Sequence, residues 1–185
     1  MTPVRTLVLG GIRSGKSRWA EESIAKSLAP DQPVRYLASG LAGHADAAWA
    51  HRIAEHRNRR PAHWSTVETD EIATQLRQPP HTPTLIDDLG GWLTSTLDRH
   101  HGWDNGSAAV AVQDRIEDMF AAVSAFPSTL VLVSPEVGLT VVPATATGRR
   151  FADELGTLNQ RMAELCDRVV LVVAGQAVPI KPSGT

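Results

Sequence analysis

An α/β fold with a mostly parallel central sheet flanked by helices is predicted by two observations. Five short apolar runs recur along the chain with helical stretches between them, and runs of this kind suit strands buried on both faces. The first run, Leu7-Val8-Leu9, leads directly into Gly10-Gly11-Ile12-Arg13-Ser14-Gly15-Lys16-Ser17, which fits the G-x-x-x-x-G-K-[ST] pattern of a nucleoside-triphosphate P-loop. Strand before, glycine-rich turn, helix after: the order is that of a P-loop NTPase, and a RecA-like sheet is the expectation. Residues 1–185 are expected to form one such domain, long enough to bury a sizeable core.

The strands after Leu7–Leu9 are expected at Val34–Ala38, bounded by Pro33 and Gly40, and at Thr84–Asp87, after the proline-rich loop Gln78–Pro83. Two more follow at Thr129–Val133 and Val169–Val173. A smaller strand pair is expected at Ile180-Lys181 or around Ser65-Thr66-Val67. Helices are predicted over Ser17–Leu28, Ala45–Asn58, Thr69–Arg77, Gly90–Leu97, Ala108–Ala125 and Thr147–Cys166. Val110, Ile116, Met119, Phe120 and Val123 fall near helical spacing, and Asp70 and Glu71 are assigned to a first turn, where negative charge is favoured. Trp92 and Trp103 are assigned to the core or an interface, and the tail Pro182–Thr185 is expected to fray.

Each part of the octet has a chemical use. Gly10, Gly11 and Gly15 let the backbone turn tightly and bring its N–H groups against a phosphate chain. Ile12, Arg13 and Ser14 complete that turn. Lys16 neutralises charge on the β- and γ-phosphates, and Ser17 offers a hydroxyl to Mg²⁺. The helix that follows points its positive end at the same phosphates. The competing reading is a glycine-rich turn that binds nothing.

A formal charge of −2 provides no global attraction to nucleic acid or acidic membranes, although basic residues cluster from Arg52 to Arg60. No apolar stretch has the length of a membrane span, and the N-terminus leads straight into the P-loop rather than showing a signal-peptide layout. A cytoplasmic protein is expected. Cys166 is the single cysteine, which excludes an intrachain disulfide and a four-cysteine metal site.

Asp87 ends a buried strand, where P-loop proteins place a carboxylate for Mg²⁺; Asp88 is expected to point elsewhere. The pair has a second reading as a cap for the helix at Gly90. On a helix, Arg52 and His56 share a face, as do Glu55 and Arg59. A neutral imidazole can attack phosphorus while arginines hold the phosphate, but solvated helices often carry such charges. His44, His51 and His63 are assigned to the surface, and His100-His101 to a loop. Glu136 is a further candidate at a strand end; Arg149 and Arg150 are read as helix-surface charges.

Taken together, these segments resemble the bifunctional adenosylcobinamide kinase/adenosylcobinamide-phosphate guanylyltransferase family. The matching stretches are Leu9–Arg18, Tyr36-Leu37-Ala38, Arg52 through His56-Arg57 to Pro61 and Trp64, and Leu85-Ile86-Asp87 with Trp92-Leu93. Glu136-Val137-Gly138 with Val142-Pro143, and Phe151 through Asn159-Gln160 to Gly175, complete the series. The resemblance implies phosphorylation of the aminopropanol hydroxyl of adenosylcobinamide by ATP or GTP. It also implies transfer of GMP from GTP onto that phosphate, with release of pyrophosphate, through a guanylylated histidine at the position of His56. It places Arg57, Glu68 and Asp87 with the P-loop at the nucleotide, Mg²⁺ on Ser17 and Asp87, and the protein in an oligomer, often a trimer. Arg52 and Arg57 would keep His56 neutral by repelling a second positive charge. The chain departs from the family pattern at Pro135, where Asn is common, and at Asp88, where Cys is frequent. A simple P-loop small-molecule kinase and a nucleotide-binding regulatory module are the alternatives; the first would retain no GMP on the protein, and the second would bind nucleotide yet turn over no cobinamide.

Overall fold

The computed structural model describes residues 3–40, 60–103 and 108–181. Its strands are β1 (Arg5–Gly10), β2 (Arg35–Ala38), β3 (Ser65–Glu68), β4 (Thr84–Asp87), β5 (Leu130–Pro135), β6 (Arg168–Val173) and β7 (Gln176–Lys181). They form one sheet in the order β3-β2-β4-β5-β1-β6-β7. Every pairing is parallel except β6 with β7. The helices are α1 (Lys16–Ser27), α2 (Ile72–Arg77), α3 (Leu89–Arg99), α4 (Ala108–Ala125) and α5 (Ala146–Leu165).

The apolar runs are continuous because both faces of the sheet are covered. Successive strand residues point to opposite faces. Thus Val8, Tyr36, Leu85, Val131, Val133 and Val170 pack on one side with Ala20 and Ile24 of α1. Leu7, Leu37, Ile86, Leu130, Leu132 and Val169 pack on the other with residues from α2 to α5. Trp92 of α3 is in this second core, and its Nε1 donates to the Asp70 carbonyl at 3.0 Å; Trp103 packs partly buried against it.

The five expected strands are present with ends shifted by a few residues. The two minor segments are both strands, but they do not pair with each other. β3 adds in parallel to β2 at one edge; β7 returns antiparallel on β6 at the other. The return is a tight turn at Ala174 and Gly175, with φ of 49° and 76°. Helix α2 begins at Ile72, so Asp70 and Glu71 precede its first turn. Their carboxylates are taken by Arg99, which contacts both, and by Arg115, which reaches Glu71 at 2.9 Å. Val110 is 64% exposed. The buried stripe of α4 runs Val112, Ile116, Met119, Phe120, Val123, and a residue two before Val112 is about 200° away around the helix. The predicted helix Ala45–Asn58 and the tail Pro182–Thr185 lie outside the described residues.

Pro135 ends β5 without losing a ladder bond. Glu136 N–H donates to Gly10 O at 3.0 Å, so Glu136 faces β1 and Pro135 faces the β4 side. There β4 has already ended, because Asp87 pairs with Val133. The Pro135 carbonyl accepts from Asn159 Nδ2 at 3.0 Å, and its ring packs on α3: a Cβ on Gly90 would stand 2.7 Å from Pro135 Cγ.

Helix α5 has no basic residue in its last turn. Lys181 of β7 takes that place, donating from Nζ to the carbonyls of Ala163, Glu164 and Cys166 at 3.1, 3.4 and 2.6 Å. Lys181→Met is expected to lower stability by about 1 kcal/mol, the scale of a cation at a helix C-terminus. The urea midpoint reads this directly, and an unchanged midpoint would show that the cap contributes nothing.

Candidate functional site

The carboxyl ends of β1 and β4 meet α1 and α3 at one end of the sheet, with β5 between them. The glycine-rich octet turns here. Arg13 (φ 56°) and Gly15 (φ 91°) adopt left-handed backbone, and α1 starts at Lys16. Such alternation turns successive N–H groups toward one concavity, which with the start of α1 makes an anion cradle. Gly10 is required by close approach: a Cβ there would lie 2.4 Å from Ser14 Oγ and 2.7 Å from the Val172 carbonyl. Ser14 is buried and braces the turn, its Oγ accepting from Lys16 N–H at 3.3 Å. The β6–β7 turn supports the loop from behind, with Gly175 N–H donating to Ser14 O at 2.8 Å. Ile12, at the tip, is 90% exposed. Lys16 Nζ makes one long contact, 3.4 Å to Gly11 O.

Ser17 and Asp87 are brought together. Ser17 Oγ donates to Asp87 Oδ1 at 3.2 Å. Tyr36, buried on β2, donates its hydroxyl to Asp87 Oδ2. Burial, and secondarily the Asp87 charge, raise the Tyr36 phenol far above its ordinary range, so it remains a donor. The side chains of Asp87 and Asp88 divide the two readings of that pair between them. Asp88 is the N-cap of α3, with Oδ1 accepting from Gly91 N–H at 2.7 Å, and Ser39 Oγ donates to its carbonyl at 2.7 Å. Burial, reinforced by Asp87, pushes the Asp88 carboxyl above the usual range, while the Gly91 N–H and Lys16 oppose that shift.

The Ser17–Asp87 pair fits a small hard cation. Neighbouring ligands of Mg²⁺ at about 2.1 Å stand about 3 Å apart, close to the separation observed. Among the described residues no cluster of three or more His, Cys, Asp or Glu side chains could hold a metal. A two-ligand site completed by phosphate and water matches how Mg²⁺ is held beside nucleotides.

Glu68 ends β3 and is exposed; it and Asp87 both register with Ala38, so they stand about 10 Å apart across β2. Glu136 lies just beyond β5, its Oε1 accepting from Gly138 N–H at 2.6 Å. Asn159 is buried and fastens α5 to that strand end, its Oδ1 accepting from Ser134 Oγ at 2.6 Å. Arg149 is more than a surface charge: it donates to the carbonyls of Pro143 and Ala144 at 3.0 and 2.8 Å, holding the chain before α5. His56 and Arg57 lie outside the described residues, as do His44 and His51. Two cavities, of about 350 and 240 Å³, lie away from the cradle, one beside Phe120 and Arg161, the other beside Leu28 and Trp64.

Tyr36 and the Gly175 turn belong to this site but were not among the expected site residues. The signal for both was their place in stretches that resemble the family, Tyr36-Leu37-Ala38 and the segment ending at Gly175.

A family described as cobinamide kinase/cobinamide phosphate guanyltransferase matches residues 6–180. A bifunctional adenosylcobalamin biosynthesis protein, CobP, of Pseudomonas aeruginosa is 41% identical, covering 96% of this chain and 98% of its own. CobU proteins of the same description from Salmonella typhimurium and Escherichia coli are 38% and 36% identical, each covering 95% of this chain and 98% of its own. In fold, the chain is similar to an ATPase of a bacterial type III secretion system, at 11% identity and a TM-score of 0.57, covering 96% of this chain and 57% of that one. The architecture is thus that of a P-loop NTPase, and the chain belongs to the cobinamide kinase/cobinamide phosphate guanyltransferase family.

Proposed function

We propose that this protein phosphorylates adenosylcobinamide with ATP or GTP and then transfers GMP from GTP to the phosphate formed, giving adenosylcobinamide-GDP and pyrophosphate. The observation that carries the reading is the family match over residues 6–180, with its P-loop built into an anion cradle facing a serine–aspartate pair. In the first step the aminopropanol oxygen attacks the γ-phosphorus, and the bond to the β-phosphate oxygen breaks. In the second, an imidazole nitrogen of His56 attacks the α-phosphorus of GTP and pyrophosphate leaves. The substrate phosphate then displaces histidine from that phosphorus.

Both steps develop negative charge on a triphosphate. One cradle of backbone N–H groups from Gly11 to Ser17, with Lys16, therefore serves both. Ser17 and Asp87 would hold Mg²⁺, which when bound would supply neutralisation of phosphate charge. Arg57 and Glu68 are assigned to the nucleotide beside the cradle. Substrates are adenosylcobinamide, its phosphate and the nucleotides; the working protein is a cytoplasmic homo-oligomer, a trimer by family pattern. No helix among the described residues is long and apolar enough to cross a membrane.

The test is the intact mass of the protein after incubation with GTP and Mg²⁺. An increment of one GMP is expected. No increment, with cobinamide phosphorylation retained, would leave a simple kinase. Asp87→Asn is expected to raise the Mg²⁺ concentration needed for half-maximal rate about tenfold or more, with metal-free nucleotide binding little changed. An identical Mg²⁺ titration in the variant would remove Asp87 from the cation site.

A further inference from the structure

Both oxygens of the Asp87 carboxylate have a hydroxyl partner, and the two partners belong to different elements. Ser17 of α1 takes Oδ1 at 3.2 Å; Tyr36 of β2 takes Oδ2. A carboxylate held through one oxygen turns broadly about its terminal torsion. Held through both, its plane is set, and only the Ser17-facing oxygen is left for a ligand on the P-loop side.

Tyr36 is itself held. It is 1% exposed, and the Arg60 guanidinium carbon sits 3.3 Å from its ring centroid. Arg60 is anchored from Nη1 to Thr66 Oγ1 at 3.0 Å, while its buried Nε has no hydrogen-bond partner among the described residues. A guanidinium that lies on a ring with its buried Nε unpaired is an uncommon arrangement, since buried polar atoms are ordinarily paired. A cation on the ring face also draws charge from the phenol and strengthens its O–H as a donor.

We propose that Tyr36, clamped by Arg60, is a positioning residue that makes Asp87 a one-oxygen ligand and so tunes the nucleotide site toward Mg²⁺ over Ca²⁺. Mg²⁺ requires near-ideal octahedral geometry and takes carboxylates through single oxygens, whereas Ca²⁺ accepts two-oxygen binding and looser geometry. Occupying Oδ2 with a phenol removes the option that Ca²⁺ uses. The inference rests on the reading of Ser17 and Asp87 as the cation's protein ligands.

The experiment measures Mg²⁺ and Ca²⁺ affinity of the full chain bound to a non-hydrolysable GTP analogue, by calorimetry, for wild type, Tyr36→Phe and Asp87→Asn. Tyr36→Phe keeps the ring and removes the hydroxyl alone. It is expected to weaken Mg²⁺ binding about tenfold, the usual scale for losing a partner of a metal ligand. Ca²⁺ binding should change less, so that the Mg²⁺/Ca²⁺ ratio narrows. Metal-free nucleotide affinity should not move, which separates this role from a packing defect. Should Tyr36→Phe fold poorly, Arg60→Met, made at a half-buried position, is expected to narrow the same ratio. If Asp87→Asn loses Mg²⁺ affinity while Tyr36→Phe matches wild type, the inference is overturned and the cation reading stands. If Asp87→Asn also matches wild type, both fall.

Discussion

Lys16→Ala is expected to abolish both transfer steps and to weaken GTP binding by about 1.5–3 kcal/mol, the range for a hydrogen bond to a charged group. That is about ten- to a hundred-fold in affinity. The rate should fall further, because charge on the transferred group grows in the transition state. The fold should persist. Among the described residues Lys16 Nζ makes one hydrogen bond, the long contact to Gly11 O, so its removal breaks no short bond of the turn. The turn is braced by other atoms, Ser14 Oγ to Lys16 N–H and Gly175 N–H to Ser14 O, which the substitution keeps. Calorimetric titration with GTP beside a thermal melt separates the outcomes. Wild-type affinity and turnover in the variant would place the nucleotide elsewhere.

His56→Ala is expected to eliminate the covalent GMP adduct and the guanylyl transfer while leaving nucleotide binding largely intact. The cradle is built from residues 10–17, Asp87 and the Gly175 turn, none of which His56 supplies. The kinase step should continue, since it needs the cradle, the cation and an oriented hydroxyl. The wild-type adduct should be a phosphoramidate, lost in acid and kept in alkali. His51 lies five residues earlier, so on a helix it occupies a different face. His51→Ala should therefore label as wild type does. Label from α-labelled GTP persisting on His56→Ala, or never appearing on wild type, would end the covalent-histidine mechanism for this chain.

The legible parts of the fold were those with two faces to bury. β1, β4 and β5 are apolar at consecutive positions because each side meets a core, and that pattern is unmistakable in Leu85-Ile86 and Leu130–Val133. The sheet edges were harder. Ser65–Glu68 and Gln176–Lys181 are largely or wholly exposed, so no burial pattern announces which neighbour each will join. Val110 misled for a related reason: an apolar side chain two positions off the buried stripe still looks periodic in a short window. Asp70 and Glu71 resembled a helix start because acidic residues favour one, but distant arginines on α3 and α4 claim them. In the site, the octet was legible because its chemistry is local in sequence. Asp87 was favoured over Asp88 from its place at the strand end; the backbone turns the first toward Ser17 and makes the second the cap at Gly91, which divides the two readings between them. Tyr36 is 51 residues from the carboxylate it holds, and only strand pairing brings them together.

The contact between Gly90 and the Pro135 ring also constrains how this sequence can drift. The two positions share one volume, so neither is free to vary alone. A side chain at 90 is obstructed while proline remains at 135; once 135 has become a smaller, open-chain residue, the same change at 90 meets no ring. The order of substitutions therefore matters, and their effects should not add. In a chain with a smaller residue at 135, a Cβ at 90 would next meet the Asp88 carboxylate, at 3.3 Å, and a chimera that paired its segment around 90 with this chain's Pro135 would restore the clash.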